Sequence, residues 1–194
     1  MSDASDASCS RCGSADARTW ISGDLLCDRC ADRRIAAHTG FPELPDPPAP
    51  FVLRDAAGTK RTFVVRLRRA PTGVVAELEQ SADPDSGYRR GVLGTHEADV
   101  EHLVFRLREI AEQEVAQRYL EPNPHRAGFL LKGDAFEGRL EWSGDGNEVA
   151  APYDVVVDGK KLSWDDLGRA LEPFQGFRIR IEISDTFEDL RGET

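Results

Sequence analysis

Hydrophobic and polar residues alternate along much of the chain between residues 51 and 80. In the segment RTFVVRLRRA, the apolar residues Phe63, Val65 and Leu67 alternate with positions that include Arg66 and Arg68. A period of two is typical of a β-strand with one buried face. We therefore predict strands in FVLRD, RTFVVRLRRA and GVVAELEQ, and a hairpin connection in AAGTK with Gly58 at a positive φ.

The pattern changes to helical spacing between residues 95 and 120. This segment contains no Gly or Pro, and its apolar residues recur at intervals of three and four from Val100 to Ala111. That spacing predicts a helix over 95–120 with its apolar stripe on the sheet. Further strands are expected in FLLKG, FEGRLEWSG and YDVVVDG, with a turn at Asp158 and Gly159.

The last third of the chain contains a short predicted helix and a predicted strand. Ser163 with Asp166 three residues later is a capping pattern for a helix in WDDLGRALEPF. In GFRIRIEISD, four apolar residues alternate with charged ones, which is the clearest strand pattern of the sequence. Together the elements predict an α+β fold: a small zinc module plus one antiparallel-sheet domain with a long packed helix.

Five prolines within HTGFPELPDPPAPF separate the cysteine-containing segment from the strands. Such a segment disfavours helix and sheet and favours an extended, stiff spacer, although Phe41 and Leu44 would be able to pin it to a surface. The composition therefore predicts five parts, which are a disordered tail (1–8), a zinc-binding module (9–37), a Pro-rich linker (38–50), an α+β domain (51–185) and an acidic tail (186–194).

All four cysteines of the chain lie in two matched pairs, CSRC and CDRC. Thiolates are good ligands for Zn²⁺, and two C-x-x-C turns about 12 to 20 residues apart supply a tetrahedral set. Two structural disulfides are the alternative, which a reducing cytoplasm disfavours. We expect one structural zinc ion bound by Cys9, Cys12, Cys27 and Cys30, because four thiolates leave no position for the water of a catalytic zinc.

The module resembles the treble-clef zinc fingers of the GATA type and of ClpX-type unfoldases. The resemblance rests on the four cysteines, on Gly13 after the first pair, and on LLCDRC leading into a short predicted helix. It implies metal binding but no single activity, because treble clefs bind DNA, RNA, proteins and themselves. The candidate partner-binding residues are Trp20, Arg29, Arg33 and Arg34. The alternative for Trp20 is a place in the small core of the module, and the alternative for the three arginines is a solvated helix face.

Charge argues against nucleic acid as the partner. The whole chain carries a formal charge of −10, and residues 1–37 hold five Arg against six Asp. A Zn(Cys)4 centre adds a charge of about −2, so the module is negatively charged, whereas a surface that binds the phosphates of nucleic acid is positively charged. An anion-binding sheet face is an alternative that would use Arg66, Arg68, Arg178 and Arg180. The simpler interpretation is that these arginines form cross-strand pairs with Glu77, Glu79 and Glu182.

No catalytic motif is found along the chain. The four histidines do not form H-E-x-x-H, and nucleophile-elbow, Walker and dinucleotide-binding patterns do not occur. Asp99 and His102 are spaced for contact on a helix, and SGDGNE lacks the acidic spacing of a calcium loop. An enzyme with an unrecognised site stays an alternative, but a protein without catalytic activity is favoured.

The segment VDGKKLSWDDLGRALEPFQGFRIRIEISD resembles the end of an uncharacterised bacterial domain. The matching positions are Asp158, Gly159, Trp164, Leu167, Gly168, Leu171 and Gly176. The resemblance implies no activity.

These patterns favour a bacterial zinc-binding adaptor that recognises another protein. Apolar stretches are too short to span a membrane and the start of the chain is not that of a secretory signal, so a cytoplasmic location is expected. A nucleic-acid-binding regulator is the alternative function, and homodimerisation is left open.

Overall fold

The computed structural model describes residues 8–81, 87–142 and 153–192, and these form three helices and twelve strands. The helices are α1 (Asp28–Thr39), α2 (Val100–Ala116) and α3 (Trp164–Ala170), with a 3-10 turn at Glu172–Phe174. The strands are β1 (Ala17–Ile21), β2 (Asp24–Cys27), β3 (Phe51–Arg54), β4 (Lys60–Ala70), β5 (Gly73–Gln80), β6 (Arg89–Gly94), β7 (Leu120–Pro122), β8 (Phe129–Leu131), β9 (Arg139–Trp142), β10 (Tyr153–Val157), β11 (Lys160–Leu162) and β12 (Phe187–Asp189). The α+β class is confirmed.

A five-stranded sheet with the order β12-β6-β5-β4-β3 is the centre of the fold. Its pairs are antiparallel except for β12 and β6, which run parallel. The alternation predicted in β4 is confirmed, because Phe63, Val65 and Leu67 are buried in a core that the α2 residues Leu103 and Leu107 complete. Gly58 has φ +80 in the β3–β4 connection, as predicted.

Helix α2 is shorter at both ends than the predicted 95–120. The Asp99 carboxylate accepts a hydrogen bond from the Glu101 N–H at 2.9 Å and so caps the start of the helix. At the other end, the Asp158 carboxylate accepts the backbone N–H groups of Tyr119 and Leu120. This contact holds the chain extended into β7, and a helix over these residues is excluded.

A second core lies under the small strands that follow α2. Strands β9, β10 and β11 form a three-stranded sheet, β7 pairs with β8, and α3 packs against β8, β10 and β11. The capping pattern predicted for α3 is present, since Ser163 and Asp166 exchange side-chain-to-backbone hydrogen bonds. Residues 51–185 thus contain two buried clusters, one around β4 and α2 and one around β10 and α3.

The strand predicted in GFRIRIEISD is wrong. Residues 177–185 are not part of any sheet among the described residues. Phe177 contacts Phe174 edge to face at a ring separation of 5.7 Å, and the next paired residue is Phe187 in β12. The alternating pattern therefore belongs to an exposed connection between the second core and the central sheet.

The predicted acidic tail contains a structural element. Phe187 pairs with Gly91 of β6, and Leu190 is buried in the first core. A Cβ atom at Gly91 would come within 2.2 Å of the Phe187 ring, so the glycine makes room for this packing. Residues 1–7 of the predicted disordered tail, most of the SADPDSG loop and the SGDGNE turn lie outside the described residues.

Candidate metal centre

A tight hairpin forms the base of the cysteine module. Strands β1 and β2 pair antiparallel, and Ser22 and Gly23 at the tip have φ values of +51 and +88. Positive φ is the conformation that two-residue hairpin turns require, and glycine adopts it without strain. Cys27 ends β2, so the hairpin brings it back towards the first cysteine pair.

Each cysteine pair sits in a turn that the local sequence explains. In the first pair, Gly13 has φ +75 and its N–H donates to the Cys9 carbonyl at 2.8 Å. The Ser10 N–H donates to the Leu25 carbonyl at 2.9 Å and joins this turn to β2. In the second pair, Cys27 is the residue before α1 and Cys30 lies in the first turn of that helix.

The four sulfur atoms lie within 4.8 Å of one another. The Sγ atoms of Cys12 and Cys27 are 3.7 Å apart, which excludes a disulfide, and all four cysteines are free. Sulfurs at about 2.3 Å from a tetrahedrally bound Zn²⁺ are about 3.8 Å from one another, so the spacing suits such an ion. The predicted ligands Cys9, Cys12, Cys27 and Cys30 are therefore brought together as a metal-binding group.

The protein environment shifts the pKa values of three of the thiols, and not all in the same direction. The backbone N–H of Cys27 and weaker hydrogen bonds lower the pKa of Cys9 to about 6 against the effect of burial. Burial raises the pKa of Cys30 to about 12 and also raises the pKa of Cys27. A bound divalent cation would favour the thiolate forms and so offset the cost of burying charge at Cys9, Cys27 and Cys30.

A buried ion pair fixes the module to the central sheet. The Arg69 guanidinium of β4 donates to the Asp32 carboxylate of α1 at 3.2 Å, and their side chains are only 2% and 6% exposed. Asp32 also accepts the Leu44 N–H at 2.8 Å, and Arg69 donates to the Pro42 carbonyl at 2.8 Å. One ion pair thus connects α1, the Pro-rich segment and β4.

The Pro-rich segment packs along the module and the sheet. Phe41 stacks on His96 at a ring separation of 4.9 Å and lies under the Arg69 guanidinium, and Leu44 packs against the first core. The spacer therefore does not hold the module at a distance, because α1 lies directly against β4. Sequence reasoning named Phe41 and Leu44 as anchors but gave no signal for Asp32 and Arg69.

A second charged contact lies on the opposite face of β4. Arg66 alternates with the buried residues of that strand and donates to Asp16 at 2.8 Å and to Glu79 at 2.8 Å. Burial opposes ionisation of Asp16, but hydrogen bonds from Arg66 and Arg18 hold the pKa of Asp16 below its usual value. Because Asp16 belongs to the cysteine module, this contact adds to the Asp32–Arg69 connection.

The predicted partner-binding residues fall into two groups. Trp20 is 70% exposed on β1, so it is not buried in the small core of the module, which was the alternative role for this residue. The three α1 arginines contact acids of the module and spacer: Arg29 lies 3.4 Å from Asp46, Arg33 lies 3.1 Å from Glu43 and Arg34 lies 2.6 Å from Asp24.

The other candidate residues have structural contacts. Asp99 is the cap of α2, and Arg68 donates to Glu77 at 3.0 Å, as the cross-strand interpretation predicts. Arg178 and Arg180 are not in a strand beside β4, so the anion-binding sheet face does not form.

A cleft of about 360 Å³, which the sequence did not predict, lies between the two cores. Arg90 and Glu114 face each other in it at 2.9 Å. Burial raises the pKa of Glu114, although Arg90 opposes the shift. The main charged groups of the cleft thus neutralise each other.

Two family models match the chain after the cysteine module. Residues 45–116 match a domain of unknown function (DUF7686), and residues 119–188 match a second domain of unknown function (DUF7713). The boundary between them falls between the two cores, and the second match includes the segment that resembles an uncharacterised domain. Neither match identifies a zinc-finger family for residues 9–37.

No curated protein and no solved structure matches the chain. Within the described part of the chain, none of the helices combines the length and hydrophobicity needed to cross a bilayer.

Proposed function

We propose that this protein is a cytoplasmic adaptor of bacterial type in which one structural Zn²⁺ holds a protein-recognition hairpin in place. The observation that carries the proposal is the position of Trp20. This residue is exposed on a hairpin that begins and ends at the cysteine cluster. The free cysteines fit a reducing compartment.

Zinc is the metal that the four-sulfur group suits best. Soft thiolate ligands with tetrahedral spacing favour Zn²⁺, and four of them close the coordination sphere. The ion then has a structural role, because no position is free for water or substrate. The module's own core contains little more than the cysteines and Leu26, Ala17, Ile21 and Ala31, so metal binding supplies much of its folding free energy.

Trp20 is suited to anchor a protein partner. Tryptophan is among the residues that contribute most to protein interfaces, because its large ring buries apolar area at a small cost in conformational entropy. Trp20 lies opposite Leu25 in the hairpin, where its own module leaves it largely uncovered.

The hairpin is rigid, which favours recognition. Arg34 donates to the Ile21 carbonyl at 3.0 Å and to the Asp24 carboxylate at 2.6 Å, and so ties the hairpin tip to α1. Asp32 and Arg69 in turn fix α1 to the sheet. Less ordering is then required when a partner binds, which leaves more of the contact energy for affinity.

Charge favours a protein over a nucleic acid as the partner. The arginines of α1 each lie beside a carboxylate of the same chain, so the net positive charge that this helix offers to phosphates is small. The chain's formal charge of −10 adds long-range repulsion of a polyanion.

Affinity purification from the native cell, with quantitative mass spectrometry, tests the proposal. We expect at least one protein recovered with the wild type to fall by about tenfold or more with Trp20→Ala. Phe105→Ala is the matched control, because Phe105 is also an exposed aromatic residue but lies on α2. The zinc content of both variants should equal that of the wild type.

An unchanged set of recovered proteins with Trp20→Ala would show that the hairpin is not a recognition surface. Equal losses with Phe105→Ala would also contradict the proposal, since they would show no specificity for the hairpin. Recovery of nucleic acid with a steep loss at higher salt would favour the regulator alternative.

A further inference from the structure

The connection between the second core and β12 exposes a row of large apolar side chains. Phe177, Ile179, Ile181 and Ile183 are 71%, 63%, 71% and 81% exposed. They alternate with polar and charged residues along a segment that has no strand partner within the described ranges. This spacing places the four apolar side chains on one face when the segment is paired as a strand.

Such a row indicates an interface. Single exposed apolar residues are normal on protein surfaces, but a contiguous apolar patch marks a contact site. An extended segment outside a sheet also leaves its N–H and C=O groups available for pairing with another strand. The Phe177 N–H donates to the Phe174 carbonyl at 2.9 Å, but from Arg178 onward backbone and side chains both favour the addition of a strand.

The charged residues between the apolar ones specify which strand fits. Arg178, Arg180 and Glu182 occupy the alternate positions. Within one chain Arg180 lies 3.3 Å from Glu182, but both side chains are about four-fifths exposed or more. An ion pair this exposed contributes little to stability, so the three groups are able to pair elsewhere.

We infer that residues 177–185 of two copies of this chain pair as antiparallel strands centred on Arg180 and join the copies into a homodimer. In this register Phe177 lies opposite Ile183 of the second copy, and Ile179 lies opposite Ile181. Arg178 lies opposite Glu182, and the two-fold axis repeats every one of these pairs. The segment is complementary to itself in both charge and hydrophobicity.

Neighbouring registers keep only part of this match. A shift that centres the pairing on Ile181 keeps Ile179 opposite Ile183 and Arg180 opposite Glu182, but it puts Phe177 opposite Asp185 and Arg178 opposite Ser184. A shift that centres it on Ile179 puts Arg178 opposite Arg180, which is unfavourable for directly opposed strands. Centring on Arg180 pairs all eight apolar side chains with one another on one face, and its cost is a single contact between the two Arg180 side chains.

The body of each chain supports the segment at both ends. Phe177 contacts Phe174, which packs against the second core, and Phe187 lies in the space left by Gly91 of β6. The segment is therefore anchored to the body of the chain at both of its ends. Because nine residues bury less area than a standard interface, and two strands alone are marginal, we expect a weak dimer with a Kd between about 1 and 100 µM.

Charge reversal followed by mixing tests the inference. Arg178→Glu alone and Glu182→Arg alone should each weaken the dimer by about tenfold or more, because each places two like-charged pairs across the strands. Mixing the two variants should restore dimerisation, since both cross-strand pairs are then opposite in charge. Sedimentation velocity of the full-length, zinc-loaded protein over a concentration series measures the result.

Two further variants separate the interface from general effects. Ile181→Asp should abolish the dimer, because it places a carboxylate in the apolar row. Arg108→Glu is the charge control, because Arg108 is an exposed arginine like Arg178 but lies on α2; it should leave the dimer unchanged. The circular dichroism spectrum of each variant should match that of the wild type.

Three results would overturn the inference. The first is a wild type that stays monomeric up to about 100 µM, which would leave the segment to fold on its own chain or to bind a different protein. The second is a failure of the mixed variants to recover, which would show that Arg178 and Glu182 do not face each other across the two copies. The third is a dimer that Ile181→Asp does not affect.

Discussion

At the scale of single residues, Asp32 and Arg69 contribute more to the arrangement of this molecule than any exposed ion pair. Both side chains are almost fully buried. A buried charge without its partner costs several kcal/mol, whereas an exposed pair such as Arg108–Glu112 contributes about 1 kcal/mol or less. The position of the cysteine module on the sheet should therefore depend on this contact.

Replacing Arg69 with Met should destabilise the protein by about 3 to 5 kcal/mol, because Asp32 is then buried without its counter-ion. Arg68→Met, one residue earlier on β4 and with a partly exposed side chain, should cost about 1 kcal/mol or less. Urea unfolding of the zinc-loaded protein measures both values. Equal costs for the two variants would show that the buried pair does not hold the module.

The cysteine ligands could be predicted from the sequence, but the ion pair could not. The metal-binding role of the four cysteines can be inferred from the local sequence, because the spacing of each C-x-x-C turn alone brings its two sulfur atoms together. Asp32 and Arg69 are 37 positions apart, and each looks like an ordinary surface residue in its own segment. Only the packing of α1 against β4 brings them together.

At the scale of elements, the strands that could be predicted are those whose pairing partner is the next strand along the sequence. Strands β3, β4 and β5 follow one another through short connections, so alternation and turns determined them together. Residues 177–185 have an equally strong pattern, but alternation does not say which edge a strand pairs with. Strand β12 was missed because its place depends on Gly91 in β6, far away in the chain.

The start of α2 provides a test at this scale. Asp99→Ala should destabilise the protein by about 1 kcal/mol, because the Glu101 N–H loses its cap. His102→Ala, at an exposed position in the next turn, should change stability by less than about 0.5 kcal/mol. Thermal unfolding followed by circular dichroism measures both. A larger effect for His102 would indicate that the two side chains act as a pair.

At the scale of the whole molecule, the cysteine module and the central sheet form one connected structure. The module contacts the sheet through Asp32 and Arg69, through Arg66 and Asp16, and through the Pro-rich segment. Loss of the metal should therefore loosen α1 and the hairpin together and leave the α2 core intact. The exposed Trp20 and the row at residues 177–185 are two separate apolar surfaces; we propose that the first binds a protein partner and the second binds another copy.

The zinc content of the purified protein tests the central claim most directly. Native mass spectrometry under reducing conditions should show one Zn²⁺ for each wild-type chain, because four thiolates at tetrahedral spacing form a closed site. Cys27→Ser removes one ligand and should lower zinc retention against a chelator by about tenfold or more. Less than about half an equivalent of zinc in the wild type, or equal retention in Cys27→Ser, would contradict the account.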